Sequence, residues 1–121
     1  MDTVARDYRN LRAFQTADDL VSLVYAVTEQ MPASERFGLQ AQLRRAAVSV
    51  PTNIVEGSAR DSTREYCRFL EVSLGSCCEC CYLLSLAIKL GLIEGATDLV
   101  RRYEALSAVL YAILRTLRSR G

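Results

Sequence analysis

Six apolar side chains, Leu99, Tyr103, Leu106, Leu110, Ile113 and Leu117, follow one another at steps of 4-3-4-3-4. That is the a/d spacing of a helix laid against another helix, and no strand reads this way. Val100, Tyr111 and Leu114 form a second apolar line beside the first. A helix expected over about 97–118 therefore has more than one packing partner.

The same period governs the rest of the chain. A first helix, about 12–30, carries Phe14, Ala17, Val21, Val24, Thr28 and Met31, widened by Leu20 and Val27. Asn10 is its expected cap and Pro32 its stop. A second helix, about 37–58, buries Leu39, Leu43, Ala46, Ala47, Val50 and Ile54, and Gly57 with Ser58 suits its end. Its stripe stays in phase across Pro51, so the proline is expected to kink the helix and not to end it. Ser62 and Glu65 match a capping box that opens a third helix, about 63–90, closed at Gly91. Its seam is Tyr66, Leu70, Ser73, Cys77, Cys81, Leu84 and Ile88. Thr97 is the expected cap of the fourth. Short connections make consecutive helices antiparallel neighbours. The expected fold is all-α: one domain over 1–121, an up-down-up-down four-helix bundle.

Composition bounds the function classes. A chain of 121 residues with a net charge of +1 has no global attraction for nucleic acid or anionic membrane, so such binding needs a local patch. No segment reads as a secretory leader, and no uninterrupted apolar run reaches the roughly 18 residues of a membrane span. Five cysteines, four of them packed between Cys77 and Cys81, do not form a disulfide framework. A reducing cytoplasm is the expected setting, with no membrane partner.

Cys77–Cys80 and Cys78–Cys81 are both C-x-x-C pairs, a pattern that can ligate zinc or an iron–sulfur cluster. On one continuous helix, however, successive side chains turn by about 100°, so four sulfurs cannot converge on one ion. There is no histidine to assist them, and free cysteine packs as a small hydrophobe. The expectation is therefore no metal, no cofactor and no enzymatic activity: an assembly or binding module, with RNA or DNA binding through arginine patches as the first rival reading and a metal- or thiol-dependent enzyme as the second. Glu56 and Arg60, spaced i,i+4, read as a helix ion pair.

Arginines supply the candidate contacts. Arg44 and Arg45 point about 100° apart on the second helix, so one is expected to reach an acidic partner such as Glu56 or Glu79. Arg60, Arg64 and Arg68 rise at i,i+4 across the junction of helices two and three, as a candidate phosphate-binding line. Arg6, Arg9 and Arg12 form a second line, and Arg115, Arg118 and Arg120 a third. No aromatic interleaving marks a stacking platform.

The chain also resembles a known family. The pieces are Tyr8-Arg9-Asn10-Leu11-Arg12, Glu35-Arg36-Phe37-Gly38-Leu39, the dense run from Leu43 through Pro51, Asn53 and Glu56 to Gly57, then Ser62-Thr63-Arg64-Glu65-Tyr66, Arg68-Phe69-Leu70, and Leu74-Gly75-Ser76 with Glu79. Together they resemble the four-helix-bundle proteins encoded within 23S rRNA intervening sequences, and the similar accessory variability-determinant proteins of diversity-generating retroelements. The resemblance implies a homo-oligomer built as a pentameric ring. It marks Pro51, Asn53, Glu56, Gly57 and Gly75 as fold-defining. It implies nucleic-acid and reverse-transcriptase binding through basic surfaces in the retroelement relatives, and no established enzymatic activity. The chain departs from the family pattern at Cys77-Cys78-Glu79-Cys80-Cys81 and at Glu94-Gly95-Ala96-Thr97.

Overall fold

The computed structural model describes residues 7–120; Arg6, and with it one end of the first basic line, lies outside the described residues. Four helices account for most of them: α1 (Arg12–Thr28), α2 (Leu39–Ser58), α3 (Thr63–Lys89) and α4 (Thr97–Arg120). Two short 3-10 turns, Tyr8–Asn10 and Ala33–Glu35, precede α1 and α2, and no strand occurs among the described residues.

Local chemistry sets each boundary, and several differ from expectation. Asn10 does not cap α1; it sits in the first 3-10 turn, and Leu11 takes the cap position without a side-chain bond. The carboxylate of Asp7 caps that turn instead, accepting from the Arg9 N–H at 3.1 Å. α1 ends before Pro32 is reached, because the N–H groups of Glu29, Gln30 and Met31 tighten into i−3 bonds. α2 starts at Leu39, two residues later than its pattern suggests. The Glu35 carboxylate accepts the Leu39 N–H at 3.0 Å and acts as its cap from within the loop. A Cβ on Gly38 would lie 2.9 Å from that carboxylate oxygen, so a glycine leaves the cap its space.

α2 runs unbroken through Pro51, which is buried, and Thr52–Glu56 are helical as expected. Proline withdraws the N–H that the Ala47 carbonyl would accept. The three carbonyls that follow each take a side-chain donor. Thr52 Oγ1 donates to Val48 O at 2.7 Å, Asn53 Nδ2 to Ser49 O at 2.8 Å, and Ser73 Oγ of α3 to Val50 O at 2.8 Å.

Ser62 caps α3 as read, its hydroxyl accepting from the Glu65 N–H at 3.1 Å. Gly91, at φ 73°, ends α3; the Leu92 N–H returns to Ala87 O at 2.9 Å and the Gly91 N–H to Ile88 O at 3.0 Å. Thr97 is not the cap of α4. Ala96 holds that place, its carbonyl accepting the first helical bond from Val100 N.

The helices pack as a bundle in which α2–α3 and α3–α4 are the extensive pairs and α1–α4 the least extensive. As numbers rise along α2 they fall along its partner: Gln42 meets Glu79, Ser49 meets Ser76, Val50 meets Ser73, and Gly57 meets Phe69 and Tyr66. Glu71 with Arg118, and Cys77 with Tyr103, follow the same rule for α3 and α4.

One core cluster joins all four helices. α2 buries the stripe its sequence defines, with Leu39 half-exposed. Elsewhere the buried line is rotated by a fraction of a turn. α1 buries Ala13 and Leu20 where Phe14 and Val21 stay at the edge. α3 buries Cys80, Leu83 and Ala87 where Cys81 is only half-buried and Ile88 faces outward. α4 finishes on Leu114, with Ile113 and Leu117 only half-buried. α3 has the length and mean hydropathy to cross a membrane by those criteria alone, and here it contributes Leu70, Cys77 and Leu84 to the core.

Candidate functional site

An open groove of about 830 Å³ runs along α2 from the end of the α1–α2 loop to Asn53. The loop brings Arg36 and Phe37, α2 brings Arg44, Arg45 and Val48, and α1 brings Tyr25. Phe37 is 90% exposed, which is extreme for a phenylalanine in a folded chain. It directly precedes Gly38, the N-cap position of α2, and so stands outside the helix.

The neighbouring arginines that the sequence paired have different roles. Arg44 is built into the fold. Its Nε donates to Thr28 Oγ1 at 2.9 Å, its terminal nitrogen donates to Tyr25 O at 3.1 Å and to Glu29 at 3.0 Å, and its guanidinium lies 4.4 Å from the Tyr25 ring centroid. The acidic partner is thus Glu29, at the C-terminal cap of α1; neither Glu56 nor Glu79 fills that place. Arg45, one residue on and turned by about 100°, is exposed and has no hydrogen-bond or ion-pair partner among the described residues. The side chain of Arg36 is equally unpartnered among them. No carboxylate lines the groove. Its far end is polar: Asn53 Nδ2 donates to Ser49 O and, at 3.0 Å, to Ser49 Oγ, which shares a 2.8 Å bond with Ser76 Oγ of α3.

Arg60, Arg64 and Arg68 do not form one line. The i,i+4 step fails because Arg60 lies in the connection between α2 and α3. Its guanidinium sits 4.7 Å from the Phe69 ring centroid. Arg68 pairs with Glu65 at 3.5 Å, while Arg64 is exposed. Arg9 is held by Asp7 and Arg118 by Glu71. The residues that resemble family markers have separate places. Pro51 is buried in α2, Glu56 is exposed on it, and Gly75 faces outward from α3. Gly57 and Ser58 close α2 as read. Gly57 lies inside the helix, where a Cβ would stand 2.8 Å from Phe69 Cβ and 3.0 Å from Tyr66 Cδ1.

The cysteine cluster is divided by the helix that carries it. Cys77 and Cys80 are buried against α4, Cys81 is half-buried, Cys78 is exposed, and all are free thiols. Burial pushes the Cys80 thiol up to about 12 and raises Cys77 further still. The Cys77 thiol donates to Tyr103 O at 3.2 Å. The Tyr103 hydroxyl is buried without a well-formed hydrogen bond among the described residues. Its polar neighbour is the Cys80 thiol, a weak partner, and burial raises the phenol's pKa. No group of three or more Cys, Asp or Glu among the described residues has the geometry to hold a metal ion.

Sequence reading missed the Phe37–Arg36 pair and therefore the aromatic-and-arginine character of the groove. The available signal was a phenylalanine between an arginine and a glycine, outside any apolar stripe once α2 is started at Leu39.

Fold and groove together define a four-helix protein with bundle-like packing and an open groove along α2. The chain belongs to the 23S rRNA-intervening sequence protein family, whose model matches residues 9–112. Among solved structures, it is similar to a crystal structure of a protein with unknown function from the S23 ribosomal protein family of Bacteroides thetaiotaomicron VPI-5482. The TM-score is 0.62 at 19% identity, covering 88% of this chain and 95% of that one, a likeness of fold. No curated protein matches the chain.

Proposed function

We propose that this chain is a non-enzymatic assembly module of the cytoplasm, an up-down-up-down bundle that works as a closed homo-oligomer. The opposed numbering of the α2–α3 and α3–α4 contacts supports the topology. The observation that carries the assembly reading is large apolar surface left on several sides at once. Phe37 stands beside α2, while Tyr82 at 63% and Tyr111 at 57% stand exposed on α3 and α4. Burying such side chains against a second copy removes their apolar area from water, which favours association. Identical subunits joined head to tail close into a ring when the rotation permits; the number five rests on the family resemblance alone. The absence of histidine and the protonated, buried state of Cys77 and Cys80 support a role without catalysis. Light scattering at micromolar concentration tests the reading. A mass several times 13.5 kDa is expected, five times for the ring, and the mass of one chain overturns it.

A second reading has its own support. Two guanidiniums without partners among the described residues, Arg36 and Arg45, line the same groove as an exposed aromatic ring, and cations near a stacking face suit RNA or DNA. A mobility shift with structured RNA that weakens steeply with salt tests it. Binding that ignores salt, or none at all, removes it.

A further inference from the structure

We infer that Phe37 and Arg36 of one copy dock into a cleft at the α1–α4 edge of a second copy of this chain, so that the contact is head to tail. This rests on the assembly reading above and gives it an address. The donor side is a protruding ring with a free cation at its base: Phe37 is 90% exposed and Arg36 has no side-chain partner among the described residues. The receiving side must offer an apolar floor wide enough for a phenyl ring, and an unpaired carboxylate.

The α1–α4 edge, the least extensive of the packed helix pairs, sets several apolar side chains and an unpaired carboxylate within a mixed, partly polar cleft. Between the end of α1 and the start of α4 lies a cleft of about 450 Å³ with Leu23, Val27 and Leu99 in its lining. Leu23 is 40% exposed, so the floor is not fully covered by the fold. Glu94 stands on the rim. Its backbone is clamped to α1, with Gln30 Oε1 accepting the Glu94 N–H at 2.8 Å and Gln30 Nε2 donating to Glu94 O at 3.1 Å. Its carboxylate has no partner among the described residues, whereas Asp98 on the same rim is already bonded to Arg102 at 2.9 Å. Arg36 and Glu94 are thus an uncompensated cation and an uncompensated anion, each beside apolar surface.

The two surfaces cannot meet within one chain. Tyr25 lines the groove beside Phe37 and Leu23 lines the cleft. Two residues apart on a helix, they point about 200° apart, to opposite flanks of α1. Both surfaces also belong to the same end of the bundle, where the α1–α2 loop and the α3–α4 loop lie, as the Gln30–Glu94 bonds require. A contact between them sets neighbouring bundles side by side and the same way up. Repeated from copy to copy, that heterologous contact closes a ring when the rotation between neighbours permits.

The test is a set of surface variants, with helical circular dichroism confirming that each folds. Phe37→Asp and Glu94→Arg are each expected to drop the wild-type oligomer to 13.5 kDa. Mixed together, they are expected to give a one-to-one dimer, because one variant keeps an intact cleft and the other an intact Phe37. Arg36→Glu combined with Glu94→Arg is expected to restore the wild-type mass. A monomeric wild type would overturn the assembly reading itself. An oligomeric wild type whose mass survives Phe37→Asp would overturn this inference and leave assembly standing. Failure of both the mixing and the charge swap would overturn the cleft as receiver. If Phe37→Asp abolishes an RNA shift without changing mass, the groove serves nucleic acid and the inference falls.

Discussion

Arg44 on α2 donates through Nε to Thr28 Oγ1 on α1 at 2.9 Å, while Thr28 itself donates to Val24 O at 2.7 Å. The hydroxyl is fully buried, so this one guanidinium satisfies a core oxygen and one carbonyl in the last turn of α1, Tyr25 O, together. Arg44→Ala is expected to cost about 1.5–3 kcal/mol, the range for lost charge-assisted bonds. Arg44→Lys should recover only part, since an ammonium lacks the fork that reaches three acceptors. Arg45→Ala, an exposed site without partners, should stay within about 0.5 kcal/mol. Urea unfolding of the three variants checks the contrast, and a costly Arg45→Ala would contradict it.

Two glycines should respond oppositely to alanine. At Gly57 a Cβ would stand 2.8 Å from Phe69 Cβ on the facing helix, so the α2–α3 spacing must open. Gly57→Ala is expected to destabilise by about 1–3 kcal/mol. At Gly75 a Cβ meets nothing within 4 Å, and the residue lies mid-helix. Gly75→Ala should stabilise by about 0.5–1 kcal/mol through the helix preference alone. Denaturation midpoints shifting in the same direction for both would refute this.

The thiols should react in order of exposure. A disulfide reagent at mildly alkaline pH should label Cys78 first and Cys81 more slowly. Cys67, Cys77 and Cys80, all buried, should be labelled only as fast as the protein opens. Simultaneous labelling of all five in native buffer would show that the core is not as packed as described.

Burial of Cys80 also makes stability depend on pH. Its folded thiol titrates at about 12, against about 8.5 for an unfolded cysteine. The unfolded state therefore releases its proton first. Stability from this group is intact below pH about 8.5 and declines as pH rises from there toward about 12. Urea melts across that window should fall more steeply for the wild type than for Cys80→Ala. Parallel slopes would remove Cys80 as a contributor.

Periodicity revealed the four helices because a packed helix must bury residues every three or four positions, and nothing in this chain offers strand alternation. It was less able to fix which of two adjacent lines faces inward. Cys80 and Cys81 have nearly the same apolar character, and the choice between them depends on where Tyr103 of α4 arrives. The loop caps were illegible for a similar reason: Glu35 reaches Leu39 N only because the 3-10 turn at Ala33–Glu35 folds it back. The groove was half visible. Arg44 and Arg45 stand side by side in the sequence, yet only the positions of Thr28 and Glu29 distinguish an anchored arginine from an available one.

The short link between α2 and α3 has a kinetic consequence. Only four residues separate Ser58 from Thr63, and the contacts that follow, from Gly57–Tyr66 through Val50–Ser73 to Ser49–Ser76, lengthen the enclosed chain by small increments. Each closure prepares the next at little added entropy, the condition under which local contacts set the folding rate. This hairpin should therefore be the nucleus on which α1 and α4 later condense. Substitutions at Val50 or Ser73 should slow folding, while those at Leu20 or Leu106 should mainly hasten unfolding.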